Sequence, residues 1–72
     1  MQQYDYSKLL GRMKEKGYTQ ESLARKLGIS PCSLNLSLNN KRDFKQDEML
    51  KTCEILGIST SKLPEFFYAH KL

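Results

Sequence analysis

The fold is decided by residues 19–39, whose sequence is TQESLARKLGISPCSLNLSLN. Thr19 is a favourable N-cap for a helix over Gln20–Leu27, because its hydroxyl can accept a hydrogen bond from the first helical turn. Gly28 follows this helix at the position where a left-handed residue commonly ends one. The apolar residues of the helix share one face, which we expect to be buried: Leu23, Ala24 and Leu27.

A second helix is predicted to begin after a short break. Ser30 is a good N-cap, and Pro31 suits the first helical position because the N–H that proline lacks would be unpaired there. In this helix, Pro31–Leu38, we expect Leu34 and Leu38 on the buried side. Two helices at a steep angle, joined by a short turn with glycine, form a helix-turn-helix unit. The opposite side of the second helix is then free for contacts: Cys32, Ser33, Asn35 and Leu36.

The rest of the chain is predicted to be helical as well. Apolar residues recur at spacings of three and four, and no segment sustains the alternation of a strand. Pro64 either kinks the last helical stretch or begins a final turn. We therefore predict an all-α fold of five short helices around one core. It forms a single domain over residues 1–72, with the helix-turn-helix unit at about 19–39 and a carboxy-terminal tail at 67–72. Outside the unit, helices are predicted at 6–16 and Gln46–Leu56. A last short helical stretch is predicted to be capped by Ser59 and to run through Leu63, and the final turn that Pro64 would begin is 65–68.

The composition argues against several classes of protein. A chain of 72 residues buries about 60% of its unfolded surface, which disfavours an enzyme with a deep cavity. The longest uncharged stretch has 14 residues and is rich in serine and asparagine, and the chain opens without a signal-like segment, so we expect no membrane span and no secretory signal. The sequence shows none of three common catalytic patterns: paired acids with an apolar pocket, a glycine-rich phosphate loop, or a nucleophile with its base. We therefore expect no enzymatic activity, no cofactor and no small-molecule substrate.

The cysteines indicate a reduced, intracellular protein. Cys32 and Cys53 are too few for a disulfide scaffold, and with His70 as the one histidine they make no zinc quartet, so we expect no metal. Cys53 lies on the apolar stripe of Gln46–Leu56, and we expect it in the core.

The positive charge is concentrated in one part of the chain. Residues 1–42 hold eight bases against three acids, a net charge of +5, whereas residues 43–72 hold four bases against five acids, a net charge of −1. Such a distribution suits a polyanion, because each neutralised phosphate releases counterions. A solvated surface that is basic without a ligand is an equally good interpretation.

The chain resembles a known family over about residues 6–67. The stretches TQESLARKLGIS (19–30), LNLSLNNK (34–41) and MLKTCEILGIS (49–59) resemble the Cro/repressor-type (XRE-like) helix-turn-helix proteins. YDYSKLLG (4–11), LNLSLN (34–39) and PEFF (64–67) give a narrower resemblance, to short phage-encoded Cro-like proteins that include the modulator-of-repression antirepressors of temperate phages. The resemblance implies a small lambda-repressor-like DNA-binding domain that helps to decide between lysis and lysogeny. Its location would be the cytoplasm of a bacterium or of a phage-infected host.

The resemblance also implies which side chains would contact DNA. Helix N-termini favour anions, and the turn after the recognition helix normally lies along the DNA backbone. The positions that match phosphate contacts in the family are Gln20, Ser30, Asn39, Asn40, Lys41 and Arg42. The positions that match base contacts are Cys32, Ser33, Asn35 and Leu36.

The recognition helix departs from the family pattern because it carries no charge. Residues 27–40 contain no charged side chain, and the first turn has Pro31 and Cys32 where stronger DNA readers have glutamine, arginine or lysine. Asn35 is the amide that could pair bidentately with adenine, which discriminates by about 1–3 kcal/mol. Direct base contacts are therefore few, and specificity would depend on DNA shape or on a partner protein.

Three adjacent aromatic residues near the end of the chain leave two alternatives. Phe66, Phe67 and Tyr68 cannot all be buried in so small a core. Either one or two of them close the core, or they form, with Leu36, a candidate interface for another protein.

Two functional hypotheses follow. In the first, a homodimer binds double-stranded operator DNA with its recognition helices in successive major grooves, about 34 Å apart. In the second, the protein is an antirepressor that binds the phage repressor protein. The two are not exclusive, since one surface could serve DNA and protein in turn.

Overall fold

The computed structural model describes residues 3–70. Helices account for most of this part of the chain, and apart from an isolated antiparallel pairing of Tyr4 with His70 it contains no strand. The prediction of an all-α fold with five helices is confirmed. The elements are α1 (Ser7–Glu15), α2 (Gln20–Leu27), α3 (Pro31–Leu38), α4 (Gln46–Leu56), a single 3-10 turn (Thr60–Lys62) and α5 (Leu63–Phe67).

The boundaries of α2 and α3 are fixed by the caps expected from the sequence. Thr19 and Ser22 form a reciprocal capping box: the Thr19 hydroxyl accepts from the Ser22 N–H at 3.1 Å, and the Ser22 hydroxyl accepts from the Thr19 N–H at 2.9 Å. Gly28 ends α2 in the left-handed conformation, with φ at 76°. Ser30 caps α3 by accepting from the Ser33 N–H at 3.0 Å. These interactions are local, which explains why the sequence pattern predicts both helices with their observed limits.

The first and last helices differ slightly from the predicted ranges. Tyr6 is the N-cap of α1 and Lys16 its C-cap, so the helix is one residue shorter at each end than predicted. At the other end of the chain, Pro64 lies in the first turn of α5 and does not kink it. Of the two alternatives left open for this proline, helix initiation is the one observed, since proline lacks the N–H that a first turn leaves unpaired.

One apolar core joins all the helices. The helix α2 packs against both α3 and α4, and α1 packs against α5. Ala24 of α2 is completely buried, and Cys53 is buried in the core as predicted. The largest side chains with almost no exposed surface are Phe67, Leu9, Leu23, Leu34 and Leu56. This packing leaves one side of α3 uncovered.

An ion pair between the partly buried Arg42 and the buried Glu48 ties the α3–α4 connection to α4. Arg42 donates two hydrogen bonds to the Glu48 carboxylate, from Nη1 to Oε1 at 3.0 Å and from Nη2 to Oε2 at 2.7 Å. Its Nη1 also donates to the hydroxyl of Ser37, which is fully buried in α3, at 2.7 Å. The hydrogen bonds from Arg42 hold the pKa of Glu48 below its usual range, against the opposing effect of burial. The pair therefore fixes α3 relative to α4.

The two ends of the described chain meet beside this connection. The side chain of Asn40 accepts from the Tyr4 N–H at 2.8 Å and donates to the Tyr4 carbonyl at 3.0 Å. The Asp5 N–H donates to the Ala69 carbonyl at 2.6 Å. The predicted tail at 67–72 is thus docked over its described part, because Phe67 is buried in α5 and His70 pairs with Tyr4. Residues 71 and 72 lie outside the described residues.

Within residues 3–70, no helix combines the length and the apolar character needed to cross a bilayer.

Candidate functional site

The helices α2 and α3 form a rigid pair that leaves one side of α3 exposed. The turn between them is held by hydrogen bonds from the Ile29 N–H to the Ala24 carbonyl at 3.0 Å and from the Gly28 N–H to the Arg25 carbonyl at 3.2 Å. Within α3, Leu34 is buried as predicted, whereas Leu38 is only partly buried. We refer to the uncovered side as the α3 face; its exposed residues are Cys32, Asn35, Leu36 and Asn39.

The most deeply buried polar residue of α3 was not anticipated from the sequence. Ser37 is buried because its hydroxyl accepts a hydrogen bond from Arg42. Its spacing of three from Leu34 is the signal that could have placed it on the inner side of the helix. A serine at such a position is easily assigned to the surface, since serine is mostly exposed in proteins.

Two residues expected to contact DNA are joined to each other. The Asn35 amide Nδ2 donates to the Gln20 side-chain oxygen at 3.1 Å, which links the middle of α3 to the start of α2. The predicted base contact and the predicted phosphate contact are therefore brought together on one surface. Bidentate pairing with adenine is compatible with this hydrogen bond, because the Asn35 amide keeps a second N–H and its own oxygen.

Three other polar side chains predicted to contact DNA form hydrogen bonds at the ends of α3. Ser30 and Ser33 hydrogen-bond each other at 3.0 Å at the start of α3, in addition to the cap already described. The Asn39 side chain donates to the Asn35 carbonyl at 2.8 Å at the end of the helix. These groups satisfy the backbone of α3, and a nucleic acid would compete with that role.

Two of the predicted phosphate contacts are committed to structural interactions. Arg42 is held by Glu48 and Ser37, and Asn40 is held by the backbone of Tyr4. Both side chains are partly buried and hydrogen-bonded within the protein, and their contact with DNA stays a prediction. Lys41, between them, is exposed and forms no ion pair within residues 3–70.

The aromatic residues of the predicted protein interface are divided by the fold. Phe66 and Phe67 are buried, with Phe67 only 1% exposed, so their assignment to an interface is corrected. Tyr68 is 43% exposed and Leu36 is 38% exposed. The alternative in which two of the three adjacent aromatics close the core is confirmed, because α5 turns both phenylalanines toward α1 and α4.

Residues 2–70 match the sequence profile of a family described as protein of unknown function (DUF739). The chain belongs to this family. The DUF739 chain is also similar to a solved structure, the solution structure of the modulator of repression of the temperate bacteriophage TP901-1 from Lactococcus lactis. The two share 40% sequence identity and superpose with a TM-score of 0.77, over 90% of this chain and 88% of that one. No curated protein sequence gives a significant match.

The match confirms the part of the narrower resemblance that concerns phage modulators of repression. This DUF739 protein has the fold of a small phage regulator. Membership of the wider Cro/repressor-type family, and with it the DNA contacts, stays a prediction.

Proposed function

We propose that this protein is a phage regulator that modulates repression by binding the phage repressor protein through the α3 face. The observation that carries the proposal is the chemistry of that face. It presents no charged side chain, and the leucine at its centre is accessible to a partner. Depletion of charge around an apolar residue is typical of the centre of protein–protein interfaces.

The electrostatics of the connection after α3 favour a protein partner over DNA. Affinity for DNA comes largely from lysine and arginine side chains that neutralise phosphates. Arg42 would be such a residue, but its guanidinium is used internally by Glu48. The similarity to a phage modulator of repression supports the same choice of partner.

Direct binding to operator DNA is the second candidate. It is supported by the paired α2 and α3, by the exposed Lys41 just after α3, and by Arg25 and Lys26, which are exposed on α2. In this alternative a homodimer would bind two half-sites, and specificity would arise mainly from DNA shape.

Leu36→Asp tests the repressor-binding proposal. We expect it to weaken binding to the repressor of the same phage by about tenfold or more, because a buried apolar contact is replaced by an unpaired carboxylate. Isothermal titration calorimetry at low and high salt measures the effect, and binding by the wild-type protein should persist at high salt. Leu10→Asp on α1 is the matched control, since Leu10 is 42% exposed and lies outside the α3 face. An equal loss in both variants, or no loss in Leu36→Asp, would contradict the proposal.

Lys41→Ala tests the DNA-binding alternative. If Lys41 contacts a phosphate, the variant should bind operator DNA more weakly, and the slope of log affinity against log salt should become shallower by about one unit. The control is Lys62→Ala, which removes an exposed lysine from the 3-10 turn. Fluorescence anisotropy over a salt series measures both slopes. Identical slopes for the two variants would show that Lys41 does not contact a DNA phosphate.

A further inference from the structure

A pocket lined by aromatic side chains lies away from the α3 face. It encloses about 240 Å³. We call it the aromatic pocket and define it by its lining residues: Tyr4, Tyr6, Asp43, Phe44, Met49, Phe67 and Tyr68. Tyr6 and Phe67 are buried and form its floor, whereas Asp43 and Tyr68 are exposed at its mouth. No residue of α3 lines it.

The walls of the pocket come from three distant parts of the chain. Tyr4 and Tyr68 pack edge to face, with ring centroids 5.6 Å apart and planes at 80°. Tyr6 and Phe44 pack in the same way, at 5.4 Å and 76°. The two hydrogen bonds between Asn40 and the Tyr4 backbone hold the amino-terminal segment in place beside the α3–α4 connection. The rings are thus preorganised at angles to one another and enclose the space from several sides.

The charged and aromatic groups that line the pocket suit a cation. The faces of aromatic rings carry the negative part of a quadrupole. Asp43 adds a carboxylate at the mouth, and no lysine or arginine within residues 3–70 forms an ion pair with it. Burial, with smaller effects of the nearby Tyr4, Asp43 and Tyr68, raises the pKa of Tyr6 to about 12. Within the part of the chain that the structure describes, no lysine or arginine lines the pocket.

We propose that the aromatic pocket binds an arginine side chain of a partner protein. A guanidinium can stack on aromatic faces while it donates two hydrogen bonds to a carboxylate. The pocket offers both kinds of group. A lysine ammonium fits less well, because it is a more strongly hydrated point charge than a guanidinium. A purely apolar side chain would form no bond with the Asp43 carboxylate. The volume is below the roughly 300–1,000 Å³ of small-molecule sites, which fits a single side chain. The contact is additional to the α3 face and does not depend on which partner α3 binds.

A capped Gly-Arg-Gly peptide, titrated into the full chain and followed by NMR, tests the proposal. At concentrations up to about 10 mM, which suffice for a dissociation constant in the millimolar range, we expect the amide signals of Tyr4, Phe44 and Tyr68 to shift. The same peptide with citrulline, which is neutral and nearly isosteric, should bind about tenfold more weakly because it loses the charge-assisted hydrogen bonds. Equal binding of the two peptides, or no shift with either, would overturn the proposal.

Asp43→Asn identifies the acid responsible. We expect it to weaken binding of the arginine peptide about tenfold, whereas Asp47→Asn, at the start of α4, should change it by less than about twofold. Tyr68→Leu, which removes one ring from the mouth, should also weaken binding, and Leu36→Asp on α3 should have no effect. Equal effects of Asp43→Asn and Asp47→Asn would contradict the assignment. A trimethyl-lysine peptide that bound more tightly than the arginine peptide and was unaffected by Asp43→Asn would overturn the arginine proposal. That result would identify a methylated lysine as the ligand. Because no repressor is used, failure here and failure of the proposed function are distinguishable.

Discussion

Replacing Arg42 by methionine is expected to lower the free energy of unfolding by about 3–5 kcal/mol. The substitution leaves the carboxylate of Glu48 buried without its cation, since the Glu48 side chain is only 5% exposed. It also removes the hydrogen bond to the buried hydroxyl of Ser37. Because a domain of this size is stable by roughly 5–10 kcal/mol, the loss is a large part of the total. The midpoint of thermal unfolding should fall by about 12 °C or more.

The Arg42 variant should also respond to pH in a characteristic way. In the wild type the pKa of Glu48 is lowered in the folded state, so its contribution to stability is present above the unfolded pKa and is lost as the pH falls through the folded pKa. Without Arg42 the largest lowering influence is lost, so the pKa of Glu48 in the folded variant lies above that in the folded wild type, although the Lys45 N–H still lowers it. The difference in stability between wild type and variant should therefore shrink as the pH falls through the unfolded pKa of a glutamate, about 4.3, toward the lower folded pKa of the wild type. Urea unfolding across this range measures the difference.

Two controls separate the ion pair from a general effect of the substitution. Lys41→Met changes the adjacent exposed base and should alter stability by less than about 0.5 kcal/mol. The double variant Arg42→Met with Glu48→Met should recover most of the loss, because an apolar pair can replace a buried ion pair. A double variant as unstable as Arg42→Met alone would show that the uncompensated carboxylate is not the cause.

Phe67→Ala is expected to destabilise the protein by a similar amount, about 3–5 kcal/mol. Phe67 has almost no exposed surface, and its ring packs edge to face against Phe44 with centroids 5.2 Å apart. Truncation leaves a cavity that the five-residue α5 has little means to fill. Chemical denaturation measures the loss, which should not vary with pH since no titratable group is changed.

The neighbouring Tyr68→Ala provides the comparison for Phe67→Ala. Tyr68 is 43% exposed, and the main interaction that Tyr68→Ala removes is the edge-to-face contact with Tyr4. We therefore expect the free energy of unfolding to fall by about 1 kcal/mol or less. If the two substitutions lowered the free energy of unfolding equally, the burial of Phe67 would not be the cause of its effect. Phe67→Ala should also abolish binding of the arginine peptide, because it removes the floor of the aromatic pocket.

The helices could be predicted almost completely from the sequence. Thr19 and Ser30 cap their helices through partners three residues away, and Gly28 ends α2 by its own backbone conformation. The information for these features is local, so a short stretch of sequence contains it. The same stretch also indicated that α3 offers an uncharged face, since charge can be counted without a structure.

The candidate contacts were harder to assign, as three adjacent residues illustrate. Three consecutive residues follow α3, and all three were expected to face DNA: Asn40, Lys41 and Arg42. Arg42 turns inward because Glu48 lies one turn into α4, and Asn40 turns toward a partner 36 residues earlier. Neither partner is apparent from residue type, because many polar residues of the chain could equally well have served.

The sequence by itself determined the all-α fold, the bent pair of helices and the absence of charge on α3, because these depend on caps, glycines and residue counts within a few positions. Only the tertiary structure decided which bases remain free, which of the adjacent aromatics are exposed, and that Tyr4, Asp43 and Tyr68 enclose a pocket. The physical reason is distance along the chain. Contacts between remote residues depend on how the helices pack, and that packing is set by the whole core together.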